Sequence, residues 1–420
     1  MAEIIKLGSN GNWGVKPNGV LAYNDENNVF KAIELQSSRA SGATYVGEDG
    51  LIKDAEVGVP RIDWTNGVGE LLLEPSRTNS ITQSEYVDSW SVKTNISVVS
   101  NDGVSPEGVN NASNIYPTTT GVCFFYEGSI TYTSGTTYTY SVFAKANGKD
   151  YLQITTSGAS FSNQYCTFDL SNGTKDNNGF EDAGIKDYGN GWYRCYVVET
   201  SISTASSRFV IGLVGNASAG RLASVTADGT NGVLVYGVVS EAGSYPTSYI
   251  RTDGSSVTRI ADAVTGNSSL GQVINSSEGT LYFNFRTLTQ IPSASNYVSL
   301  SNGTTSDSVF FQFRNDGNLR IYHKALGGSD IAFIVAGNDY SSQYYKAAYT
   351  WNNSTNTSNL FVNGVKQTLN GGFVYTDISA LDKLSLDLGT SGSDFRGRAR
   401  EIKVYDTALT DAELTTLTTI

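Results

Sequence analysis

The sequence predicts an all-β protein with two tandem antiparallel β-sandwiches (jelly rolls) after a short N-terminal segment, and one short C-terminal helix. Three observations carry this. The 420 residues include 44 Gly, 25 Tyr and 17 Phe, with abundant Ser, Thr and Asn and few helix formers. Tyr, Phe, Thr and Val suit pleated half-buried surfaces, and Gly, Asn and Asp supply the turns between them. Short alternating segments recur between turn dipeptides, as in sandwiches. Finally, Thr410-Asp411-Ala412-Glu413 is a capping box that opens a single helix near the end.

Along the chain, residues 1–80 form an opening section, read as an attachment or oligomerisation segment. Within it, Ser41–Val46 and Asp49–Ile52 read as two short strands joined by a turn centred on Asp49-Gly50. Residues 81–257 form a first sandwich with strands at Tyr138–Ala144, Cys166–Leu170, Trp192–Val198 and Leu234–Val239, and turns at Asn172-Gly173 and Asn190-Gly191. Residues 258–420 form a second. There Phe311 and Phe313 precede Asp316-Gly317, Leu319 and Ile321 follow with matching parity, and Asn363-Gly364 repeats the device. The polar stretch Gly266–Ser269 with Asn275–Gly279 is read as a linker or loop between the two sandwiches.

Charge and cysteine usage narrow the function classes. With 28 Lys+Arg against 40 Asp+Glu the net charge is −12, and no Lys/Arg run exists, so a polyanion such as nucleic acid is not an expected partner. Cys123, Cys166 and Cys195 lie in apolar strand-like segments and are read as buried free thiols. No apolar run reaches the ~20 residues of a membrane span, and the first residues lack a secretory pattern.

The closing segment FRGRAREIKVYDTALTDAELTTL, with EGTLYFNFR, YKAAYTWN and NLFVNGVKQ before it, resembles the laminin-G-like/concanavalin A-like domain. Residues 39–262 resemble a module of bacteriophage tail, fibre and other virion surface proteins, through RASGATYVGEDGLIKDAEVGVPRIDW, LLLEPSRTNSITQSEYVDSW, YSVFAKANG, FDLSNGT, GNGWYRCYV and EAGSYPTSYIRTDGSSVTRIAD. The usual Trp-Gly of that module is Tyr236-Gly237 here. The resemblance implies a phage structural protein, a tail or head fibre or spike, localised to the virion. It implies attachment to other virion proteins through residues 1–80, a homotrimer, and display of lectin-like domains to a host surface glycan or protein. A purely architectural decoration or adaptor protein and a glycan depolymerase are the alternatives.

Catalytic chemistry finds little support in the residues. The lone His323 has no Gly-x-Ser-x-Gly partner and cannot build a multi-histidine zinc site, and it is read as a solvated or hydrogen-bonded strand residue. Glycosidases need two carboxylates ~5–9 Å apart. Asp54 and Glu56 have the local spacing but no aromatic cleft, and most other acids fall in turns. The expectation is a non-enzyme. Glycan binding uses exposed aromatics flanked by polar groups, which points to Tyr340, Tyr344 and Tyr345 around the loop Asn338–Gln343; a core role for Tyr345 is the competing reading. Trp192 and Trp351 are read as packing residues. Asp307, Asp339 and Asp394 are weak calcium candidates in loops, and no other cofactor is implied.

Overall fold

A computed structural model describes residues 3–9, 11–24, 31–266, 273–290, 292, 294–325, 328–389 and 392–420. Of the expected polar linker, residues 267–269 lie outside the described residues, whereas Asn275–Gly279 is described and runs into the strand Glu278–Thr287 after an Asn275 turn, the Ser277 amide donating to Asn275 Oδ1 at 3.0 Å. The chain divides into two compact units, a C-terminal unit of residues 1–42, 55–75 and 260–420 and a central unit of residues 43–54 and 76–259. This corrects the expected organisation: residues 1–80 are no separate segment, because both units draw strands from them.

In the C-terminal unit a 12-stranded sheet packs on a five-stranded sheet. The larger sheet places Glu3–Leu7 beside Gly397–Tyr405, with Leu7 opposite Ile402, and Glu70–Leu73 beside the same strand, with Leu72 opposite Arg398. Leu7, Leu35, Leu71 and Leu73 are buried in one core with Phe283, Phe311 and Ile402. Burying each such side chain is worth roughly 1.5–3 kcal/mol, so these early residues belong to the fold and do not hang from it. Their docking is reinforced by a buried ion network. Asp262 binds Arg39 at 2.9 Å and also pairs with Arg61, which reaches Glu74 at 2.7 Å, and all four side chains are almost fully buried.

Turn chemistry sets the hairpins as the residues dictate. Asn363 (φ 49°) and Gly364 (φ 79°) make the two-residue turn between Thr357–Val362 and Val365–Lys366. Gly317 (φ 78°) joins Ser308–Phe313 to Leu319–Ala325, with Phe313 opposite Leu319 and Phe311 opposite Ile321. The helix Asp411–Thr418 starts with the complete capping box, in which the Glu413 amide donates to Thr410 Oγ1 and the Thr410 amide donates to Glu413 Oε2 at 2.8 Å. Leu414 buries its inner side.

The central unit is a second sandwich, of a seven-stranded and a six-stranded sheet around a core that includes Phe125, Tyr140, Phe168 and Val235. A smaller cluster of Ile52, Phe143, Trp192, Tyr236 and Tyr249 lies outside it. Here the hairpin Ala43–Val46/Ile52–Ala55 meets the segment that follows Gly232–Ala242: Thr44 Oγ1 donates to Tyr249 O at 2.7 Å. Cys123, Cys166 and Cys195 are buried free thiols, as their apolar strands predict.

Candidate functional site

Alternation in the five-stranded sheet of the C-terminal unit sends one set of side chains inward and the other outward. Leu319–Ala325 shows this directly: Leu319, Ile321 and His323 are buried, whereas Arg320, Tyr322 and Lys324 are half-buried. His323 is therefore a core residue, with Nδ1 2.7 Å from the Tyr349 hydroxyl and Nε2 2.6 Å from Thr376 O. It is hydrogen-bonded, as one of the two sequence readings held, and it is not solvated.

The register then sets the half-buried Tyr297 and Tyr322 on the outward face around Phe310, which is left 3% exposed. Phe310 stands opposite Tyr322, the rings stacked with centroids 4.7 Å apart and planes at 21°. Tyr297 meets the Phe310 edge at 5.5 Å, and its hydroxyl accepts from Gln312 Nε2 at 2.6 Å. The Lys324 ammonium lies 5.6 Å from the Phe310 centroid and 5.8 Å from that of Tyr322. It makes no ion pair with any described residue. Arg320 reaches Asp316 at 3.2 Å, an aspartate also held by Arg314 at 2.9 Å. Half-buried Tyr rings fringed by hydroxyl, guanidinium and ammonium donors can stack on the C–H face of a sugar while the fringe binds its hydroxyls.

The residues expected to do this lie elsewhere. Tyr340 is 2% exposed, because the loop that carries it folds onto the core: its ring lies 4.8 Å from Tyr345 and 5.9 Å from Phe285. Tyr345 is 5% exposed within the strand Tyr345–Asn352, opposite Phe285, so its core reading is the correct one. Tyr344 is half-buried, with the Arg400 guanidinium 3.4 Å from its ring centroid and its hydroxyl accepting from Asn66 at 3.1 Å. Burial, and then the nearby Glu70, push that hydroxyl's pKa up. None of the three offers an open ring face.

The calcium candidates are equally occupied. Asp307 is buried and accepts from the Ser379 amide at 3.4 Å and hydroxyl at 3.3 Å. Asp339 caps its own turn through the Ser341 amide at 2.9 Å. Asp394 pairs with Arg396 at 2.7 Å, and burial pushes its carboxyl above the ordinary range. The three do not converge, and among the described residues no group of three or more His, Cys, Asp or Glu could hold a metal.

Tyr297, Phe310, Tyr322 and Lys324 were missed because an alternating strand states which residues share a face but not which face meets solvent. The signal for Tyr322 was present, since it alternates with Ile321 and His323.

Residues 257–415 match the family model of the Concanavalin A-like lectin/glucanase superfamily. That stretch is thus a lectin-like β-sandwich. A comparison with curated proteins finds no match. Similar solved structures include the CBM40 of Ruminococcus gnavus IT-sialidase bound to α2,3-sialyllactose, at 20% identity over 35% of this chain and 85% of that one, TM-score 0.30. They also include a leech intramolecular trans-sialidase, at 19% identity over 35% of this chain and 24% of that one, TM-score 0.27. A third is the heptameric SAP-like pentraxin of Limulus polyphemus, at 16% identity over 33% and 69%, TM-score 0.27.

Proposed function

We propose that this is a non-enzymatic phage virion surface protein, a tail or head fibre or spike, that binds a host surface glycan on the outward face of its five-stranded sheet. The observation that carries the reading is the pair of half-buried rings Tyr297 and Tyr322, seated on the buried Phe310, with Arg320 and Lys324 beside them. The lectin-like match of residues 257–415 supports a glycan as ligand, and the phage-module motifs of residues 39–262 support the virion setting. A binding role in place of hydrolysis is supported by the carboxylate at this face, Asp316, being engaged by two arginines.

The test is a glycan array and a host-cell binding assay with the full chain. Tyr322→Ala and Tyr297→Ala are expected to abolish binding at a stability cost of about 0.5–3 kcal/mol, since each ring packs on Phe310, with the chain still folded at the assay temperature. If the parent binds neither glycans nor cells, the glycan reading fails. A purely architectural role would then stand, a reading favoured by the exposed apolar side chains Val365, Leu369 and Val374.

A further inference from the structure

The central unit holds a cavity that the proposed function does not use. It measures about 140 Å³ and is walled by Leu51, Val104, Pro106, Tyr188 and Trp192, with Lys145 and Asn190 adding polar groups. Three sequence-distant loops build it and are tied together. Trp192 Nε1 donates to Val104 O at 3.0 Å, the Ile52 amide donates to Pro106 O at 2.9 Å, and the Tyr188 amide donates to Trp192 O at 2.9 Å. The Gly189-Asn190-Gly191 turn, with φ of 78°, 52° and 79°, brings the chain round to the cavity beside Lys145.

The cavity opens to solvent, and its volume suits the insertion of one face of a six-membered ring with the substituents projecting outward, given that an enclosed cavity of about 150 Å³ takes a single benzene. The walls are apolar and aromatic, but the polar groups are unspent. Lys145 is half-buried and makes no hydrogen bond or ion pair with any described residue, and the exposed Asn190 amide makes none either. In a chain of net charge −12, an ammonium left without a carboxylate beside a ring-sized aromatic cavity is a site for an anion.

We propose that this cavity is a second binding site, for a single acidic pyranose residue such as a uronic acid. The sugar ring sits against the half-buried Tyr188 and the exposed Val104, over the edge of the buried Trp192, its carboxylate meets the Lys145 ammonium, and Asn190 donates to a ring hydroxyl. The proposal is independent of the glycan-binding face described above.

The test follows the indole N–H resonances of the full chain by heteronuclear NMR during titration with sodium glucuronate, and separately with glucose. The Trp192 signal is expected to shift saturably with glucuronate and at least about tenfold less strongly with glucose. Lys145→Gln is expected to weaken the glucuronate response about tenfold or more, and Lys145→Arg to retain most of it. Tyr322→Ala, which disables the other face, should leave the response unchanged. An unmoved Trp192 signal, equal affinity for glucose, or full binding by Lys145→Gln overturns the proposal.

Discussion

Tyr322 and Tyr340 are the same residue type in neighbouring segments of one unit, and burial gives them opposite uses. Tyr340 spends its ring on Phe285 and Tyr345, whereas Tyr322 lies half-open over Phe310. Tyr340→Ala is therefore a core truncation, expected to cost about 3–5 kcal/mol of stability, measured by denaturant unfolding. Glu241 makes a different residue-scale prediction. Its carboxylate is fully buried and accepts from the Thr247 amide at 2.9 Å and hydroxyl at 2.6 Å. Burial raises its pKa despite those bonds. A carboxyl that keeps its proton longer when folded loses stability as pH rises from the ordinary Glu value of about 4.3 through the raised folded one. Glu241→Gln should flatten that fall, read as the pH slope of the unfolding free energy above pH 4.

At the scale of elements, the closing helix and the hairpins are local constructions with local failure modes. Thr410→Ala removes the hydroxyl that accepts from the Glu413 amide and should cost about 1 kcal/mol. The loss should be confined to the C-terminal unit, with hydrogen exchange speeding first in residues 411–418. These elements were legible in the sequence because their determinants lie within a few residues: an Asn-Gly pair, a Thr-x-x-Glu box, an alternation of period two. The outward face was only half legible. Pattern places Tyr322 opposite Ile321 and His323, but which row is solvent-facing depends on which sheet packs beneath, and that is a long-range fact.

The whole molecule shows the largest departure from a linear reading. Strands Glu3–Leu7 and Glu70–Leu73 complete the sheet that contains Gly397–Tyr405, more than 300 residues away along the chain. Residues 260–420 alone should accordingly fail to fold cooperatively, lacking Leu7, Leu35, Leu71 and the partners of Asp262. Native-like chemical-shift dispersion in that fragment would contradict this. Within the full chain, Asp262→Ala leaves Arg39 and Arg61 buried without that carboxylate, and is expected to destabilise the C-terminal unit by about 3–5 kcal/mol, measured by chemical denaturation. Any virion-attachment role for the first 80 residues would have to be carried by surface left over from these strands.

The sequence by itself determined the fold class, the turns, the capped helix, the buried thiols and the lectin-like character of the last sandwich. Each is encoded in local patterning or in a contiguous motif. Tertiary structure alone decided that the opening residues are divided between two units, that Tyr340 and Tyr345 are core, that the three aspartates are engaged apart, and that Tyr297, Phe310 and Tyr322 align. The physical reason is that exposure and strand partnership are set by contacts between residues far apart in sequence, and a period-two pattern carries no record of its partner.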